Sequence, residues 1–137
     1  MSFARAAALL YSAISVGVVL FQVALAAGAP WGSYAMGGAF PGTLPLALRL
    51  AAIAQAALIV AMAVVILSRA GLVFGRWSTV TGRLVWFVVA FAAVSLILNL
   101  ITPSAVERAI WAPVAAVLLA SSTVVALGRR HESSGRT

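Results

Sequence analysis

The 137-residue chain has no cysteine, no lysine and no aspartate, a single histidine (His131), and only two acids, Glu107 and Glu132. Each absence removes a class of chemistry. Without thiols there is no disulfide, no thiol redox couple, no iron–sulfur ligation and no thiolate zinc site. One His in a polar C-terminal segment rules out bis-histidine haem ligation within one chain. No Lys, Asp, Cys or His and no deep carboxylate stands in an apolar run to act as base or nucleophile, and Ser12, Ser15 and Ser95 lack a partner base. No two residues carry metal-ligand spacing. The chain therefore reads as a non-enzyme without cofactor or metal.

Charge is scarce as well. Charged residues make up 8% of the chain and hydrophobic residues 64%, where a soluble domain is about half apolar and a quarter charged. Such a composition cannot cover a water-facing surface, so the solvent is lipid. The net charge of +7 comes from nine arginines. They stand at the ends of apolar runs, the pattern of membrane topology and anionic headgroups and not of nucleic-acid binding.

What the sequence has in abundance is apolar length. Four runs, at about 5–27, 46–68, 84–101 and 108–127, are long enough to cross about 30 Å of hydrocarbon at about 1.5 Å per residue. Backbone groups in lipid must be bonded within their own segment, which makes these runs helices. Alternating apolar and polar residues, the mark of a membrane β-strand, are absent. The first run outlasts the apolar core of about 7–15 residues of a secretory signal and reads as an uncleaved span. The expected fold is an all-α, up-down four-helix transmembrane bundle formed by residues 1–128, with 129–137 as a polar tail.

Arginine placement orients it. Arg5 precedes the first run, Arg69, Arg76 and Arg83 separate the second and third, and Arg129, Arg130 and Arg136 follow the fourth. Positive flanks belong in the cytoplasm, so both termini are expected inside and 28–45 outside, in a bacterial cytoplasmic membrane. The segment 69–83 mixes arginine with Leu72, Val73, Phe74 and Trp77, which suits a loop lying on headgroups, with anionic lipid as a candidate partner. Small residues at spacing four (Ala13 and Gly17; Ala112, Ala116 and Ala120) and the alanines at 47, 51, 54, 57 and 61 offer close-packing faces, within the bundle or toward another subunit.

In the fourth run, "TPSAVER" supplies two alternative starts: Thr102 as N-cap before Pro103, or Ser104 as N-cap with Glu107 completing a capping box. Pro113 then removes an amide donor and predicts a kink, and Gly128 is a plausible stop.

Polar residues gather in one half of the membrane depth. Gln22, Arg49, Gln55, Asn99, Glu107, Arg108 and Trp111 all fall toward the expected outer side, under a 28–45 loop holding five glycines, three prolines and the aromatics Trp31, Tyr34 and Phe40. This asymmetry predicts an outward polar pocket of Trp31, Tyr34, Arg49, Gln55, Asn99, Glu107, Arg108 and Trp111, binding a lipid, another amphiphile or a partner's helix. Arg49 either pairs with Glu107 or snorkels to headgroups. The blander alternative is structural: the amides bond between helices, Glu107 caps its own, and the protein is an accessory subunit of a membrane complex. A transporter or lipid-modifying enzyme is a weaker alternative.

"GAPWGSYAMGG" at 28–38, "NLITPSAVERAIWAPV" at 99–114 and "LSRAG" at 67–71 together resemble a widespread family of small, four-span bacterial membrane proteins with no assigned activity. The resemblance covers nearly the whole chain. It implies the four-helix membrane architecture and a bacterial source, and lends no catalytic residue.

Overall fold

A computed structural model describes residues 2–74 and 77–134. They form four long α-helices, α1 (Phe3–Ala27), α2 (Leu46–Arg69), α3 (Ser78–Ile101) and α4 (Ala105–Ser134), with two short 3₁₀ turns at Gly32–Tyr34 and Met36–Gly38 in the first connection. Each long helix is apolar and long enough to cross a membrane. Neighbours run antiparallel: α1 packs along α2 and α4, α3 packs along α4, and α2 and α3 touch least of the adjacent pairs. Both termini thus lie at one end of the bundle and loop 28–45 at the other.

The main core sits in the termini half. Ala8 and Tyr11 of α1 meet Ile59, Met62 and Ile66 of α2, Val85 and Val88 of α3, and Val125 and Ala126 of α4. At the loop end only a small cluster forms, Leu25, Leu44 and Ala52, joining α1, α2 and the loop. α3 is absent from it. Accordingly, 17% of the apolar stretch of α3 is buried, against 28–33% in the other helices. The buried residues of α3 are Thr81, Val85, Val88 and Ala92, and none of 93–101 is buried.

Local chemistry fixes the helix ends. The Ser2 hydroxyl accepts from the Arg5 amide at 3.2 Å and caps α1. At the other end Gly28 takes φ +103°, its amide donates to Leu25 O at 3.1 Å, and Ala29 N donates to Ala24 O at 2.9 Å. That is the Schellman pattern, which needs a residue free to be left-handed. Arg49 adds to it, donating from Nε to Ala26 O at 2.8 Å. Its positive charge rests on the partial negative end of α1. Arg49→Ala is expected to cost about 1–2 kcal/mol, with Arg49→Lys recovering part of it, read from the unfolding midpoint in micelles.

Four expectations change. The third helix starts at Ser78, six residues before the apolar run at 84, so Gly82 and Arg83 are helical and the second connection shortens to 70–77. Extending a formed helix costs little per residue, and polar "STVTGR" is carried along. Thr81 Oγ1 donates back to Trp77 O at 3.1 Å, and Arg69 of α2 lies over Gly82. Phe74 and Trp77 are exposed at this end, and Arg76 lies outside the described residues.

The fourth helix does not stop at Gly128 but continues to Ser134, so the polar tail is largely helical. Gly128 serves packing instead: a methyl there would stand 2.7 Å from the Ala4 Cβ, so α4 passes close to α1 at this point. Pro113 is contained within α4 without ending it.

The two readings of "TPSAVER" resolve in favour of Ser104, whose Oγ accepts from Glu107 N at 3.2 Å. The Glu107 carboxylate does not reach back to close the box. It accepts from Thr102 Oγ1 at 3.2 Å.

Finally, of the small residues chosen by spacing, all but Ala112 point outward. Ala13, Gly17, Ala116, Ala120 and the alanines at 47, 51, 54, 57 and 61 are exposed, and nothing approaches Gly17 within 4 Å. The alanines that pack inside are Ala8, Ala52, Ala56, Ala92, Ala112, Ala115 and Ala126. In so alanine-rich a chain, spacing four occurs on every face.

Candidate functional site

Loop 28–45 folds as a lid. The amide of Gly32 donates to Gly42 O at 2.8 Å and draws the two strands of the loop together. Tyr34 N donates to Trp31 O and Gly38 N to Ala35 O, forming the two 3₁₀ turns. Met36, Gly37 and Gly38 all take positive φ, which Gly allows freely. The turn at Gly37 rests on Pro103, at the corner between α3 and α4.

An aromatic clamp fixes the lid to the helices. The Phe21 ring lies between Trp31, stacked at 6.2 Å, and Trp111, tilted at 4.7 Å. The Trp111 indole then donates from Nε1 to Tyr34 O at 2.8 Å, bonding α4 directly to the lid backbone.

Beneath the lid lies a cavity of about 620 Å³, within the range of about 300–1,000 Å³ typical of ligand sites. It extends from Tyr34, Met36, Thr102 and Glu107 at the loop end down to Tyr11, Met62 and Leu118. Between Gln22 and Tyr11 alone that is about 16 Å of helix rise. On the α3 side its rim is Phe91, Val94, Leu98 and Ile101, which are 38–70% exposed. On α2 only Gln55, Ile59 and Met62 reach it. On the α3 side the cavity is therefore bordered by residues that are themselves exposed.

Its walls are mostly apolar, with a polar stripe whose members are under-bonded. Tyr11, Ser15, Val18 and Gln22 recur along one face of α1 and all line the cavity. Gln22 is 8% exposed and Ser15 3%. The Gln22 Oε1 and Ser15 Oγ atoms have no hydrogen-bond partner. Orphaned buried polar atoms are rare, because each costs about 1–3 kcal/mol. Across from them, Asn99 gives one of its two amide hydrogens to Ser95 O at 2.7 Å. Glu107 uses one oxygen on Thr102. Glu107 is the only charged residue among the described residues that line the cavity.

Of the eight residues expected to form a pocket, Tyr34, Gln55, Asn99, Glu107 and Trp111 line this cavity, and Trp31, Arg49 and Arg108 do not. Trp31 is half-exposed and stacks on the far side of Phe21. Arg49 and Glu107 form no ion pair. Arg49 is held by Ala26 O, and Arg108 donates from Nη2 to Thr102 O at 2.8 Å. Both guanidiniums answer free carbonyls at helix ends, where a positive charge is drawn by the dipole.

No protein-family model, curated protein or solved structure matches the chain. The cavity's own geometry therefore carries the functional reading.

Sequence reasoning placed Gln22 at the right depth but left it out of the pocket, and it missed Tyr11 and Ser15. The signal was present as the 11, 15, 18, 22 spacing, which is one face of a helix. It was obscured because Tyr11 and Ser15 lie in the termini half, away from the other polar groups.

Proposed function

We propose that this is an integral membrane protein without catalytic activity, which holds an amphiphile in the cavity under loop 28–45. The observation that carries the reading is a mostly apolar cavity whose wall also holds Ser15, Gln22, Asn99 and Glu107, with Gln22 Oε1 and Ser15 Oγ lacking any partner. A ligand with a polar end and a hydrocarbon body satisfies both halves of that wall. The exposed α3 residues that border the cavity would give lateral access from the bilayer.

The arginine distribution supports both termini being cytoplasmic, with the lid outside a bacterial inner membrane. Reporter fusions at residue 38 and at the C-terminus test this arrangement. The expected outcome is an extracytoplasmic signal at 38 and a cytoplasmic one at the end, and the reverse refutes it.

Native mass spectrometry of gently extracted protein tests the binding reading. A bound amphiphile at one per chain is expected, and bare chains at every collision energy overturn it. The same spectra count subunits. That count addresses the second reading, an accessory subunit of a complex, which draws on the exposed small-residue face around Ala13 and Gly17.

A further inference from the structure

We infer that the amphiphile held in this cavity carries a cationic, hydrogen-bond-donating head, of the ammonium class, and that anionic amphiphiles are refused. The inference rests on the proposal that the cavity binds an amphiphile at all.

The argument is one of charge and of free valence. The loop end of this chain carries three ionic side chains near the cavity, and only the acid faces it. Arg49 and Arg108 would be the natural receptors for a phosphate or carboxylate. Each is bonded to a main-chain carbonyl, at 2.8 Å, and neither lines the cavity. Glu107 does line it, with one carboxylate oxygen accepting from Thr102 and the other without a partner among the described residues.

The neutral groups accommodate such a head: Asn99 gives one of its two amide hydrogens to Ser95 O, and Gln22 has an unpartnered carbonyl oxygen within a residue that is 8% exposed. Gln22 on α1, Asn99 on α3 and Glu107 on α4 thus border one space, and Glu107 is the only charged residue among the described residues that line it. An ammonium with three N–H donors matches that set. A carboxylate or phosphate placed there meets Glu107 as a like charge, with no cation on the cavity wall among the described residues to offset it. The apolar remainder, from Ile59 and Met62 to Val114 and Leu118, accommodates a hydrocarbon chain.

The test uses three probes of equal chain length: 11-bromoundecylamine, 11-bromoundecanol and 11-bromoundecanoate. Each is titrated into protein in neutral maltoside micelles, and the bromine reports binding by quenching tryptophan. Replacing Trp31, Trp77 and Trp86 with phenylalanine leaves Trp111, on the cavity wall, as the sole reporter.

The amine is expected to bind at least tenfold more tightly than the carboxylate, with the alcohol between them. Glu107→Gln, which keeps an acceptor for Thr102, is expected to bring the amine down to the level of the alcohol. Equal binding of amine and alcohol by the wild-type side chain, or binding of the carboxylate as tight as the amine, overturns the assignment while leaving an amphiphile site in place. Quenching by none of the three overturns the binding reading itself. The wild-type series stands even if the Glu107 variant fails to fold.

Discussion

Gly32→Ala is expected to unfold loop 28–45 and expose the cavity. A methyl group on Gly32 would stand 2.6 Å from Gly42 O and nearer still to Phe40 O. Both obstacles are backbone, so neither can rotate aside as a side chain would. Relief requires the two strands of the loop to part, which breaks the Gly32–Gly42 hydrogen bond. It also pulls on Tyr34, two residues on, whose carbonyl is bonded to Trp111. Overpacking of this kind costs about 1–3 kcal/mol, which converts to roughly a 5- to 150-fold increase in the opened population. The loop has no Lys or Arg but offers Trp31, Tyr34 and Phe40 to chymotrypsin. Cleavage in 31–40 is expected to accelerate at least tenfold. Gly42→Ala, where φ is +86° but nothing lies within 4 Å, should show a smaller effect from backbone strain alone. Gly17→Ala, in open space on a helix, should show none. Cleavage of Gly32→Ala at the wild-type rate would mean that the loop is no folded lid.

The contrast between Gly32 and the helices shows what was readable from sequence. The four helices announce themselves because lipid leaves a backbone no other choice, and long uncharged runs are hard to miss. The bounds of α1 and α2 follow from the apolar runs almost to the residue. The bounds of α3 and α4 do not, because hydropathy marks where lipid begins and not where hydrogen bonding ends. Ser78–Arg83 and the segment after Gly128 are polar yet helical. Depth along a helix was legible too, and it gathered Gln55, Asn99, Glu107 and Trp111 in one half of the membrane depth. Rotation about the helix axis was not. Arg49 shares that half, but its face turns to the C-terminal carbonyls of α1, and no one-dimensional plot of depth separates a capping arginine from a pocket arginine. Small-residue spacing failed for the same reason. Where alanine occupies every face, the buried face is chosen by the partner helix. The hydrogen bond from Trp111 to Tyr34, across 77 residues, belongs to tertiary structure entirely.

Gln22→Leu is expected to move stability and binding in opposite directions, and this sets a binding residue apart from structural glue. The amide oxygen of Gln22 is buried without a partner, and its residue is 8% exposed. Leucine is close in volume and removes that unsatisfied group, so ligand-free protein should gain about 1 kcal/mol. A gain in stability shows that Gln22 bonds nothing within the protein, and a loss of occupancy then shows that it bonds the ligand. Occupancy by a bound amphiphile in native mass spectra should fall at least tenfold in the same variant, because the wall then lacks its amide on α1. If Gln22 instead bonded between helices, its loss would cost about 0.6 kcal/mol, the average for such bonds in membranes, and would leave binding unchanged. The two readings thus differ in sign in a denaturation midpoint measured on delipidated protein. Ser15→Ala offers the same comparison one step lower on the same face of α1, where Ser15 is 3% exposed and its hydroxyl is likewise unpartnered. A native state made more stable by deleting Gln22 and Ser15, and emptied of ligand by the same changes, identifies the α1 stripe as a binding surface held in reserve by the fold.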